Sequence, residues 1–167
     1  MEQLDLFKFQ SRRPKRQQPQ EWKLVLLREC PTPEEMQLCD TPECAANYWK
    51  AHITTEPHFN AECECFVVLH LNTRRRIRGH NLISIGTMDT TLVHPREVFR
   101  MAIARSVNSI VLMHNHPSGE PQPSEADIRV TRDLIRAGQL LKLEVIDHVI
   151  IGNPKFCSLR ELGYFYA

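Results

Sequence analysis

The chain has 167 residues, a net charge of +1, 42% hydrophobic residues and 25% charged residues. That length suits a single domain burying about 70% of its extended-chain surface, so a core needs no covalent staple. The composition excludes a wholly disordered chain, and the absence of an apolar run near about 18 residues excludes a helical membrane span.

The start, MEQLDLFKFQ, has no signal-peptide core. The six cysteines, at positions 30, 39, 44, 63, 65 and 157, include no C-x-x-C pair. A reducing, cytoplasmic compartment with free thiols is expected.

Residues 1–20 place Arg12, Arg13, Lys15 and Arg16 among glutamines and prolines, with no periodic apolar face. Such a stretch is expected to be a disordered basic tail. It serves as a solubilising extension or touches nucleic acid weakly through its charge. Residues 22–28 (WKLVLLR) read as a strand, followed by a proline turn at 31–33. Residues 41–51 read as a helix with Thr41 as cap and Pro42 in its first turn. Residues 21–60 thus form an N-terminal strand and helix extension.

Residues 65–71 (CFVVLHL) are rich in β-branched and aromatic residues and predict a strand. NTRRRIRGH reads as a turn whose tip carries Arg74, Arg75 and Arg76. This is a solvated tip or a weak nucleic-acid contact, without aromatic interleaving for base stacking. NLISIGT and TTLVH read as short strands broken at Gly86. A helix is expected from His94 and Pro95, with Val98, Phe99, Ala102, Ile103 and Ser106 inward. Residues 109–113 (SIVLM) predict a buried strand ending at His114.

A strong helix follows, capped by Ser124, with Ile128, Thr131, Leu134 and Ile135 inward and Gly138 as its stop. Residues 143–151 predict another strand. The alternation of strands and helices indicates an α/β domain over 61–167.

The chemistry concentrates in His114-x-His116 followed by Ser124-x-x-Asp127. Residues i and i+2 of an extended segment face one way, so both imidazoles can address one point. Asp127 lies on the first turn of the next helix. Two imidazoles and a carboxylate make a hydrolytic zinc set with a fourth position open. Non-haem iron uses the same ligand types, so ligand identity alone leaves iron open beside zinc.

HNHPSGEPQPSEAD resembles the JAMM metalloprotease signature, with His114, His116, Ser124 and Asp127 at the matching spacing. The flanking ECFVVLHLNTRRRI, GTMDTTLVHPREVFR and EVIDHVIIGNPKFCSLRELG resemble the RadC-like branch of that superfamily. The resemblance spans residues 64–163. It implies a JAB/MPN-type, cytidine-deaminase-like sandwich with a central mixed sheet flanked by helices. It also implies one zinc per chain on His114, His116 and Asp127.

The signature includes an upstream glutamate that does not bind the metal. Spacing offers Glu62 or Glu64, and the resemblance favours Glu64 at the Glu64-Cys65-Phe66 step. Glu64 would then be the general base of peptide or isopeptide hydrolysis. Ser124 is either an oxyanion donor, a helix cap, or both.

Secondary candidates carry weaker signals. His94 reads as a structural residue or as support for a ligand, and Asp147 or His148 could orient a ligand histidine. His70 reads as a satisfied or surface histidine, Cys63 and Cys65 as small buried hydrophobes, and Asn115 as a loop hydrogen bonder. The resemblance also carries the label of DNA repair or recombination, so a non-catalytic, DNA-associated protein is the alternative to a hydrolase. A zinc deaminase is disfavoured, because His-x-Glu and Pro-Cys-x-x-Cys are missing. The identity of a peptide or protein substrate and the oligomeric state are not legible at this level.

Overall fold

The computed structural model describes residues 38–86 and 93–166, together with Leu27, Glu29 and Cys30. The expected basic tail, the strand at 22–28, the turn at 31–33 and most of the piece at 90–94 lie outside the described residues.

Helix α1 (Pro42–Tyr48) runs directly into a π-helical turn, Trp49–Ile53. The helix begins where the sequence suggests, with Pro42 in its first turn. The Thr41 side chain, however, makes no cap hydrogen bond. Five strands form one sheet in the order β2-β1-β3-β4-β5. Strand β1 (Cys65–Leu71) is buried along its whole length and pairs antiparallel with both β2 (Ile77–Ile85) and β3 (Ser109–Asn115). Strand β4 (Glu144–Ile151) runs parallel to β3, and β5 (Phe156–Ser158) closes the edge antiparallel to β4. The expected α/β sandwich with a mixed sheet and flanking helices is present.

Alternation along the strands supplies two cores. Val67, Leu69, Val111 and Met113 face α1 and its π-helical turn, where Tyr48, Trp49 and Ile53 are buried. Phe66, Val68, Ile110 and Leu112 face the other side. There they meet Phe99 of α2 (Pro95–Ala104) and Leu134 of α3 (Glu125–Leu141). Burying such side chains contributes about 1.5–3 kcal/mol each. The central strands are therefore apolar on both faces, unlike half-exposed strands.

Several expectations need correction. The supposed basic turn at 72–80 is only half turn, because Ile77–His80 already belong to the nine-residue β2. Edge pairing with β1 overrides the charged composition there, and register shifts accommodate Gly79 at φ 130°. Strand β3 continues through His114 and Asn115 rather than stopping before them. In α2, Val98, Phe99 and Ala102 are buried, but Ile103 is 53% exposed and Ser106 lies beyond the helix with φ 50°.

Helix α3 does not stop at Gly138. It ends at Leu141, and Lys142 adopts the left-handed cap conformation usual for glycine. No helix among the described residues is long and apolar enough to cross a membrane.

Strand β4 contains a bulge that matters for the site. Ile110 pairs with Val145 but Val111 pairs with Asp147, so Ile146 is an extra residue. Val145 packs on the α2/α3 side and Ile146 on the α1 side. After the bulge, Val149 and Ile151 face α1, and Ile150 packs with Ile128 of α3. The bulge thereby turns His148 toward α3.

Candidate metal centre

His114 is the sixth residue of β3 and His116 lies just past its end. Their shared parity points both imidazoles at the start of α3. Ser124 caps that helix in a capping box. Its Oγ accepts the Asp127 N–H at 3.2 Å, and Asp127 Oδ2 accepts the Ser124 N–H at 2.8 Å and hydroxyl at 2.6 Å. Ser124 thus occupies Oδ2 and leaves Oδ1 directed at His114 Nε2, 3.2 Å away. His116 Nε2 is 3.0 Å from His114 Nε2 and 3.5 Å from Asp127 Oδ2.

His114, His116 and Asp127 are the one such potential metal-holding group among the described residues. Zinc–ligand bonds of about 2.0–2.1 Å imply tetrahedral edges of roughly 3.3 Å. The His114–His116 and His114–Asp127 Oδ1 separations of 3.0 and 3.2 Å lie near that edge, and one donor atom from each of the three residues lies within 4.8 Å of the others, so the set fits a single ion.

The far nitrogens of both rings are engaged. His116 Nδ1 meets the Glu120 carbonyl at 2.8 Å, and His114 Nδ1 meets His148 Nε2 at 2.8 Å. Phe66 lies parallel to the His114 ring and edge-on to His148, an apolar wall that excludes water. Burial pushes the Asp127 carboxyl upward. Hydrogen bonds from His114 and His116, the His114 charge and the Ser124 hydroxyl outweigh it and hold the carboxyl well below the usual range. The hydrogen bond to Asp127 raises His116 against its burial, with smaller help from the Glu120 carbonyl and the charges of Asp127 and Glu64. Burial holds His148 far below the ordinary imidazole value.

Glu64 is half-buried two residues before Phe66, the strand partner of His114, and its charge is felt at His116. Asn115 brackets it. Asn115 Oδ1 accepts the Cys65 N–H at 2.9 Å, and its Nδ2 donates to the Cys63 carbonyl at 3.0 Å. Glu62 is exposed in the preceding turn, its N–H bonded to Asn60. Of the two candidate glutamates, Glu64 shares the side of the sheet that carries the histidines.

A family model for the RadC-like JAB domain matches residues 39–164. The chain belongs to this family. It is 52% identical over 102 residues to a UPF0758 protein of Caldanaerobacter subterraneus, covering 61% of this chain and 44% of that one. A UPF0758 protein of Bacillus cereus is 50% identical over 101 residues, with 60% and 45% covered. One from Desulfitobacterium hafniense is 49% identical over 113 residues, with 68% and 50% covered. The chain thus spans about half the length of the curated relatives it matches.

Within this RadC-like domain the other candidates separate clearly. Asp147 faces the α1 side and accepts from Ser158 Oγ at 2.7 Å and from the N–H groups of His148 and Arg160 at 2.7 and 3.2 Å. It fastens β5 to β4 and orients no ligand. His94 is the exposed N-cap of α2 and makes no side-chain cap bond.

His70 corrects its expectation. It is wholly buried, and neither ring nitrogen has a hydrogen-bond partner. Cys39, Cys44, Cys63, Cys65 and Cys157 form no disulfide. Arg74, Arg76 and Arg78 are exposed around the β1–β2 turn, at the far end of β1 from Glu64. Sequence reasoning missed Thr131, whose hydroxyl is 2.6 Å from His148 Nδ1, and the bracketing role of Asn115. The one signal for Thr131 is its i+4 spacing from Asp127.

Proposed function

We propose that this RadC-like JAB domain is a zinc-dependent hydrolase of peptide or isopeptide amide bonds. The reading rests on one observation: two histidine nitrogens and the Asp127 carboxylate converge within 4.8 Å of one another, with the charge of Glu64 felt at His116. His114, His116 and Asp127 would hold the ion. When bound, zinc supplies Lewis-acid polarisation of a carbonyl and a water acidified toward neutrality.

Glu64 would be the base of this site, holding a water by its carboxylate, accepting a proton from it and returning that proton to the leaving amine. Asn115 keeps the Glu64 backbone in register with His116. Ser124 fixes Asp127 by donating its one hydroxyl hydrogen to Oδ2, so the oxyanion role expected of it would require that hydrogen bond to be given up. The free thiols fit a reducing, cytoplasmic setting. Exposed Arg74, Arg76 and Arg78 support a separate, weak nucleic-acid contact that would weaken as salt rises.

The test combines metal analysis with cleavage of a panel of peptide and isopeptide-linked substrates. The purified chain should carry one zinc, and both His116→Ala and Asp127→Asn should lose it. Glu64→Gln should keep the zinc yet lose roughly 10²–10⁴-fold in turnover. Equal zinc in the parent and His116→Ala would refute the centre, and full turnover by Glu64→Gln would refute the base.

A further inference from the structure

We propose that His148 and Thr131 are positioning residues of the metal centre, fixing the tautomer in which His114 keeps Nε2 bare for the ion. The inference rests on the metal-centre reading and extends it to two residues that touch neither ion nor substrate.

The argument starts from the group with no choice. The Asp127 backbone carbonyl can only accept, so the Thr131 hydroxyl 2.5 Å away donates to it. A hydroxyl has one hydrogen. Toward His148 Nδ1, at 2.6 Å, Thr131 Oγ1 can therefore only accept, and His148 carries its proton on Nδ1. The neutral ring then has a bare Nε2. His114 Nδ1, 2.8 Å from it, must be the donor. Once His114 is neutral, as a ligand imidazole must be, its bare nitrogen is Nε2, the atom that faces His116 and Asp127 Oδ1. A single hydroxyl thus decides two tautomers in sequence.

The chain leaves one ligand residue, His114, and ends on another, Asp127. His114, His148 and Thr131 are each fully buried, so water does not compete for any link. The bulge at Ile146 makes the chain possible. Strict alternation from Val145 would have sent His148 to the α1 face. A ligand histidine commonly leans on a carboxylate or carbonyl. Here a second imidazole does that work, which is why a third group, Thr131, is needed to set its direction.

The test measures zinc affinity of the full chain by chelator competition. It also reads imidazole protonation by ¹H–¹⁵N correlation spectroscopy of the zinc-loaded protein. In the parent, His114 and His148 should both carry their protons on Nδ1. Thr131→Val should weaken zinc binding roughly 10–100-fold, and Thr131→Ser, which restores the hydroxyl, should bind like the parent. A folded Thr131→Val binding zinc within about twofold of the parent overturns the proposal, as does a His148 proton on Nε2.

Should Thr131→Val fail to fold, His148→Gln and His148→Leu carry the test. The glutamine offers His114 a carbonyl oxygen and should retain affinity, while the leucine should lose it. Equal affinity of those two overturns the proposal. A parent chain that binds no zinc instead defeats the metal-centre reading itself.

Discussion

Asn115 Oδ1 accepts the Cys65 backbone N–H at 2.9 Å across the β1–β3 boundary, and the same amide donates to the Cys63 carbonyl at 3.0 Å. The residue between the two ligand histidines therefore faces away from them and holds the backbone on both sides of Glu64. The β3 end thus sets candidate metal-holding side chains and the residue that places the glutamate on alternate positions. Asn115→Ala strands a buried N–H. It should lower stability by about 1–3 kcal/mol while leaving zinc stoichiometry unchanged. Denaturant unfolding beside metal analysis checks this, and an unchanged unfolding midpoint would speak against the clamp.

Ser124 holds both the helix and the Asp127 carboxylate. Its side chain caps α3, and its hydroxyl, 2.6 Å from Asp127 Oδ2, keeps Oδ1 facing the histidines. Ser124→Ala should cost about 1 kcal/mol of stability and weaken zinc binding as well, because Asp127 Oδ2 loses the hydroxyl and keeps only the backbone N–H. Ser124→Thr restores the hydroxyl and should recover both quantities. A variant that loses stability but binds zinc like the parent would reduce Ser124 to a cap alone.

The H-x-H pair, the capped helix and the central strands were legible because each is a local signal: i and i+2 parity, a serine before an acidic first turn, an unbroken β-branched run. What escaped was set by distant partners. Ile77–His80 look like a turn by charge and glycine content, and only pairing with β1 makes them strand. Asp147 and His148 were readable as opposite in facing. Which of them met the ligands depended on the one-residue bulge at Ile146, which leaves no mark in a β-branched run. Strand β5, three residues long, is too short to announce itself.

Gly138 shows how a local rule misleads. A glycine late in a helical pattern reads as a stop, yet α3 runs on to Leu141. The glycine is there for close approach. A Cβ on it would lie 2.5 Å from the Leu143 carbonyl oxygen and 3.3 Å from the Phe99 ring. By propensity alone, alanine in a helix interior should gain up to about 1 kcal/mol. Overpacking against backbone costs about 1–3 kcal/mol and should win here. Gly138→Ala is expected to melt below the parent, and a variant at least as stable would show that the α3–β4 return can give way.

His70 gives the fold an acid sensitivity independent of the metal ligands. It sits in β1 opposite Gly79 and Ile110, fully buried, with both ring nitrogens unpartnered. Burial, reinforced by the nearby Arg105 charge, lowers its pKa from 6.5 to about 4. Asn81 pulls weakly the other way, but its Oδ1 is itself buried without a hydrogen bond. The unfolded chain protonates this ring near 6.5 and the folded chain only near 4. Between those values the unfolded state holds the extra proton, so stability falls as the pH drops through the window and levels off below it. From pH 7 to pH 5 the loss attributable to His70 is about 2 kcal/mol.

His70→Leu replaces the ring with an apolar side chain that needs neither proton nor partner. The variant should be at least as stable as the parent at pH 7, and its stability should decline less between pH 7 and pH 5 by that amount. The other histidines titrate alike in both proteins and cancel in the comparison. Urea unfolding of the two at pH 7, 6 and 5 decides the matter. Parallel stability profiles would mean that the ring finds a proton acceptor in solution that the buried strand does not provide.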